Sequence, residues 1–98
     1  MSAGAIGAPP GGFRAIVKRS VTIAGHQTSI GLEPIFWEAL EAEAAARALP
    51  LNALIAAIDH ARIGAESPPN LASAIRIWLM AQHAGEDQGD ALERNRIS

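Results

Sequence analysis

Cysteine is absent from the 98 residues. Its absence excludes disulfides and thiolate metal sites, and makes a reducing cytoplasm the simplest setting. Aromatic residues make up only 4% of the chain, and alanine supplies much of its 49% apolar content. Large core-forming side chains are therefore scarce. A chain this small then has a thin core of its own, for which oligomerisation is a common remedy. No apolar run approaches the roughly 18–20 residues of a membrane span. The opening "MSAGAIGAPPGGF" lacks the basic start and continuous apolar middle of a signal peptide. A soluble, intracellular protein is expected, with residues 1–16 as a disordered leader.

Acid is missing as well, from Met1 to Leu32, where the charged residues are Arg14, Lys18 and Arg19. From Glu33 to Arg47 the balance reverses, with Glu33, Glu38, Glu41 and Glu43 against a single base, and the whole chain carries a net charge of −2. The N-terminal segment is thus a local cation on an acidic protein. Such a segment is an electrostatic footprint for a polyanion.

Hydrophobic periodicity divides the rest. In "VKRSVTIA" (17–24), Val17, Arg19, Val21 and Ile23 alternate with Lys18, Ser20, Thr22 and Ala24, which predicts an extended segment. Gly25 marks a turn. In "QTSIGL" (27–32), Thr28, Ile30 and Leu32 share one face, so Gln27, Ser29 and Gly31 point the other way. Glu33-Pro34 opens a helix, with proline suited to a first turn and the acid to the helix dipole. Phe36, Trp37, Leu40 and Ala44 form its apolar face, while Glu38, Glu41 and Glu43 face water. Pro50 ends it. A second helix is predicted from about 51 to 62, with Leu54, Ile55, Ile58 and Ala61 at helical spacing. "GAESPPN" (64–70) reads as a loop whose Asn70 caps a third helix carrying Leu71, Ile75, Trp78 and Leu79. Residues 85–98 are polar and are expected to be a disordered charged tail, which leaves 17–84 as the folded domain.

The predicted fold is mostly α with a short β ribbon: a strand, two helices and an extra third helix. A lone strand leaves its backbone donors and acceptors unpaired. The economical solution is a two-fold dimer in which each chain contributes one strand to an intermolecular two-stranded antiparallel sheet. Its dimer core would hold Ile30, Leu32, Phe36, Trp37, Leu40, Leu54, Ile55 and Ile58.

At this point "TSIGLEPIFWEALEAEAAARALPLNALIAAI" resembles the ribbon-helix-helix (Arc/MetJ-like) fold, a bacterial DNA-binding class. More narrowly, "KRSVTIAGHQTSIGLEPIFWEAL", "LIAAID" and "NLASAIR" look like a compact subfamily with an additional C-terminal helix. The likeness spans roughly Lys18 to Ala81. The resemblance implies a homodimeric transcriptional regulator, such as a repressor, in the bacterial cytoplasm and nucleoid-associated when DNA-bound. Its β-ribbon would enter the major groove of double-stranded DNA. Gln27, Ser29 and Gly31 correspond to the family's base-contacting positions; glutamine can pair bidentately with adenine, and serine with several bases. In the family a phosphate lies at the start of the second helix, which here implies backbone N–H groups of Leu51, Asn52 and Ala53. Arg14, Lys18 and Arg19 would add phosphate contacts. Two positions depart from the family pattern. Gly31 stands where many relatives carry a long polar or basic residue, and Pro50 stands at the usual hydroxyl N-cap.

Other chemistries find little footing. His26, His60 and His83 have no zinc-motif spacing, and no metal or cofactor is expected. The serines lack a nucleophile-elbow context, and "APPGG" lacks the strand and lysine of a phosphate loop. The protein is therefore read as non-enzymatic. Trp37 and Trp78 are expected in the core, and Asp59 and Arg62 as an i,i+3 ion pair. Arg76 reaches Asp59, or Glu33 across the dimer, or remains solvated. An alternative function is a protein-interaction module or antitoxin-like protein, dimerising through the same fold and binding a protein partner.

Overall fold

The two alternating runs form two strands, β1 (Val17–Ile23) and β2 (His26–Leu32), which pair antiparallel within one chain. The expectation of a lone strand is therefore corrected: the partner of β2 is the segment just before it. Ala24 and Gly25 make the connection, with φ of 50° and 81°. Two successive positive φ values belong to a type I′ turn, whose twist matches that of the flanking strands. Ala24 adopts this conformation at a cost of roughly 1–2 kcal/mol, because its Cβ crowds the following carbonyl.

The computed structural model describes residues 6–97, with side chains through residue 85. Three helices follow the hairpin: α1 (Pro34–Ala46), α2 (Leu51–Ile63) and α3 (Leu71–Ile97). α1 ends before Pro50 is reached. The Leu49 N–H donates to the Ala44 carbonyl at 2.9 Å and the Ala48 N–H to that of Ala45 at 3.0 Å. With Ala48 at φ 53° this is a Schellman ending. Asn70 caps α3 as expected, its Oδ1 accepting from the Ser73 N–H at 2.8 Å. Arg62 bonds Asp59 at 2.9 Å and also reaches the Pro69 carbonyl at 3.2 Å, tying α2 to the start of α3.

Register fixes the two faces of the hairpin. Val17 lies opposite Leu32, Arg19 opposite Ile30, Val21 opposite Thr28 and Ile23 opposite His26, all on the face toward the helices. Val21, Ile30 and Leu32 are buried there against Trp37, Leu40, Ala44, Leu54, Ile55, Ile58, Ala74, Ile75 and Leu79. Seven of the eight residues expected in a dimer core are thus buried inside one chain, and Phe36 is half-buried. The physical reason is the pair of elements added to the minimal pattern: β1 extends the sheet, and α3 covers α1 and α2. Ala61, placed on the apolar stripe of α2, is instead exposed.

Within the leader, Pro9 to Gly12 form a turn closed by the Gly12 N–H donating to the Pro9 carbonyl at 2.8 Å. Gly11 at φ 81°, after Pro10, gives the type II geometry that this sequence favours. Residues 1–5 of the expected leader lie outside the described residues. At the other end the backbone of α3 continues past Gly85 to Ile97, through the stretch expected to be a disordered tail. Ser98 lies outside the described residues.

Candidate nucleic-acid interface

The outward face of the hairpin is built by the same alternation that makes the core. Lys18 lies opposite Gly31, Ser20 opposite Ser29 and Thr22 opposite Gln27. All are exposed except the half-buried Gly31. The face therefore carries one cation, three hydroxyls and one carboxamide, and no acid. The hydroxyls and the carboxamide both donate and accept hydrogen bonds, as reading the mixed pattern of base edges requires, while the lysine only donates. Sequence reasoning found Gln27, Ser29 and Gly31 but did not place Ser20 and Thr22 beside them. The pairing that does so depends on the Ala24-Gly25 turn, and alanine is a weak turn signal.

Gly31 is the narrow point of this face. A Cβ at Gly31 would lie 2.7 Å from Cγ2 of Ile16, closer than such carbons approach, and 3.6 Å from Cγ of Lys18. The glycine is thus accounted for by packing: the Ile16 side chain occupies the space above it. Ile16 is 53% exposed, so its methyl groups still meet solvent.

The three bases of the N-terminal segment separate. Lys18 faces outward. Arg19 lies one residue on and so faces the helices, with its guanidinium 4.7 Å from the Trp37 ring centroid and 2.7 Å from Glu41 Oε1. Of the bases expected to contact phosphate, Arg19 thus lies on the opposite face of the hairpin from Lys18. Arg14 lines a hollow of about 530 Å³ together with Phe13, Glu33 and Glu38, where the leader runs beside the start of α1.

At the start of α2, Pro50 provides no side-chain cap. The Ala53 N–H donates to the Pro50 carbonyl at 3.0 Å, as does that of Leu54 at 3.2 Å. Of the three amides expected to meet a phosphate, that of Ala53 is thus already engaged. The helix geometry leaves the Leu51 and Asn52 donors pointing beyond its first turn.

Besides the Arg19–Glu41 pair, two polar links hold the hairpin on the helices. Trp37 is 2% exposed, and its Nε1–H donates to the Val17 carbonyl at 2.9 Å, fastening α1 to the start of β1. Arg76 donates to Glu33 Oε1 through Nε at 3.1 Å and Nη2 at 2.7 Å, joining α3 to the junction of β2 and α1. This is the Glu33 partner considered in the sequence, but reached within one chain rather than across a dimer. Trp78 is half-buried, with the Arg47 guanidinium 5.1 Å from its ring centroid.

The Arg76 hydrogen bond lowers the Glu33 carboxyl below its ordinary value, assisted by a backbone hydrogen bond. A carboxyl depressed on folding stabilises the fold above its unfolded pKa, and that contribution is lost as pH falls through the folded value. Glu33→Gln is expected to flatten the decline of stability below about pH 4, the usual carboxylate range. Urea midpoints measured from pH 7 down to pH 2.5 check this; parallel curves for both proteins would contradict it.

Among the described residues, no group of three or more His, Cys, Asp or Glu side chains is placed to hold a metal ion, and no helix is long and apolar enough to cross a membrane. A family model described as a ribbon-helix-helix domain matches residues 16–83. No curated protein and no solved structure matches the chain significantly.

Proposed function

Because the chain belongs to the ribbon-helix-helix domain family, we propose that it is a homodimeric DNA-binding transcriptional regulator that reads the major groove with the outward face of its hairpin. The observation that carries this reading is that face: acid-free, exposed, and lined by Lys18, Ser20, Thr22, Gln27 and Ser29. It lies on a protein whose net charge is −2.

The open edge of β2 supports the dimer. With two strands in the sheet, β2 is paired on the β1 side alone. A second β2 added along the other edge makes a central ribbon of two β2 strands flanked by two β1 strands. Strands lie about 4.8 Å apart, so the central pair fits a groove about 12 Å wide while the flanking strands approach its phosphate walls. Gln27 and Ser29 then face base edges, and Lys18 faces phosphate. The amides of Leu51 and Asn52 serve a further phosphate. The protein would act in the cytoplasm, on the nucleoid.

Genomic fragments retained by the purified protein test this directly. Retention is expected at low ionic strength and should weaken steeply with added salt, as counterion release requires. Lys18→Ala removes two phosphate contacts per dimer. It should weaken binding to all sequences alike and make the plot of log affinity against log salt shallower by about 2. Sedimentation should give twice the mass of one chain. Absence of retention at any ionic strength overturns the DNA reading.

That result would favour a second reading, a protein-interaction module or antitoxin-like protein. The observation behind it is on α3, where Ile77 and Met80 are 61% and 65% exposed and line an open apolar hollow with Phe36.

A further inference from the structure

Gly31 leaves one of the three outward positions of β2 without a side chain, yet the space above it is filled. The Ile16 Cγ2 methyl lies where a Gly31 Cβ would make contact, at 2.7 Å. Ile16 shares the outward parity of Lys18, Ser20 and Thr22, standing two residues before Lys18 just ahead of β1. It is half exposed although isoleucine gains from burial, so an apolar group is held on an otherwise polar face. The face thus offers an amide at Gln27, a hydroxyl at Ser29 and a branched alkyl group at the third position.

Each of these has a different complement in the major groove. Amides and hydroxyls pair with donors and acceptors on base edges. An alkyl group has one specific complement there, the C5-methyl of thymine. We infer that Ile16, seated over Gly31, is a specificity-determining residue that recognises a thymine methyl at the outer end of each half-site. This rests on the DNA-binding reading. It assigns the third reading position to a residue ahead of the strand and gives Gly31 its role: any side chain at 31 would push the alkyl group away.

Deoxyuridine lacks only that methyl, which makes it the probe. A preferred duplex is first selected from a random library by the wild-type protein, and each thymine is then replaced in turn by deoxyuridine. Burial of one methyl corresponds to about a fourfold change in affinity, and two symmetric half-sites to about fifteenfold. The wild type is expected to show that loss at one thymine per half-site. Ile16→Ala should bind the thymine and uracil duplexes equally. Gly31→Ala, which keeps Ile16 but displaces it, should do the same. Far-UV circular dichroism checks that both variants fold.

A wild type without a methyl-sensitive thymine, or an Ile16→Ala variant that keeps the full penalty, overturns the assignment and leaves DNA binding standing. A wild type that selects no duplex at all overturns DNA binding, and the assignment with it.

Discussion

Trp37→Ala is expected to destabilise the fold by about 3–5 kcal/mol, the range for removing a buried large aromatic ring. The ring is 2% exposed and packs among Leu32, Leu40 and Ile55, which are themselves wholly buried. Its loss leaves a cavity that the hairpin and helices cannot both close. It also leaves the Val17 carbonyl without the indole donor at 2.9 Å and removes the surface over which Arg19 lies. Small domains have only about 5–15 kcal/mol in total, so the variant should lose a large fraction of its stability. Trp37→Phe separates the two contributions. It keeps most of the apolar volume but loses the hydrogen bond, whose net worth is about 1 kcal/mol. Urea unfolding followed by far-UV circular dichroism measures both. An alanine variant within 1 kcal/mol of wild type would show that this ring does not hold the hairpin to α1.

For DNA recognition, Gln27→Ala should produce the largest change in sequence preference. A bidentate pair between a carboxamide and adenine is worth about 1–3 kcal/mol of discrimination. Two copies in a symmetric dimer double this, so the preference for the selected duplex over random DNA should fall at least about thirtyfold. Affinity for random DNA should hardly change, because phosphate contacts supply it and Lys18 remains. Stability should also hold to within about 0.5 kcal/mol, since Gln27 is an exposed strand residue opposite Thr22. Ser29→Ala should act in the same direction but less, a hydroxyl being a more permissive reader. Comparing affinities for selected and random duplexes at one salt concentration checks the prediction. Equal losses on both would mean that Gln27 touches the backbone, and no loss on either that it touches nothing.

These expectations draw unequally on sequence and structure. The helices were legible because Trp37, Leu40, Leu54, Ile55, Ile58, Ile75 and Leu79 recur at helical spacing and are buried as expected. The outward position of Gln27, Ser29 and Gly31 followed from strict alternation around Ile30 and Leu32. β1 was seen as an extended run but not as the partner of β2. Its turn rests on Ala24 in a left-handed conformation, which alanine rarely adopts and no local pattern announces. The Schellman ending through Ala48 is hidden in the same way, and it closes α1 before Pro50 is reached.

Period and polarity along the chain were enough to settle element types and the face that meets solvent. Those properties are local, set by the two-residue repeat of a strand and the 3.6-residue repeat of a helix. What depended on distant residues coming together could not be read that way. Arg19 stands beside Lys18 in the chain, but folding sets it over Trp37 and beside Glu41. Arg76 found Glu33 across 43 positions of its own chain. Gly31, a missing side chain in the sequence, became in three dimensions the seat of Ile16. A strand pairing or a packed methyl is a contact between segments, and its partner is chosen by the closing of the whole chain rather than by near neighbours.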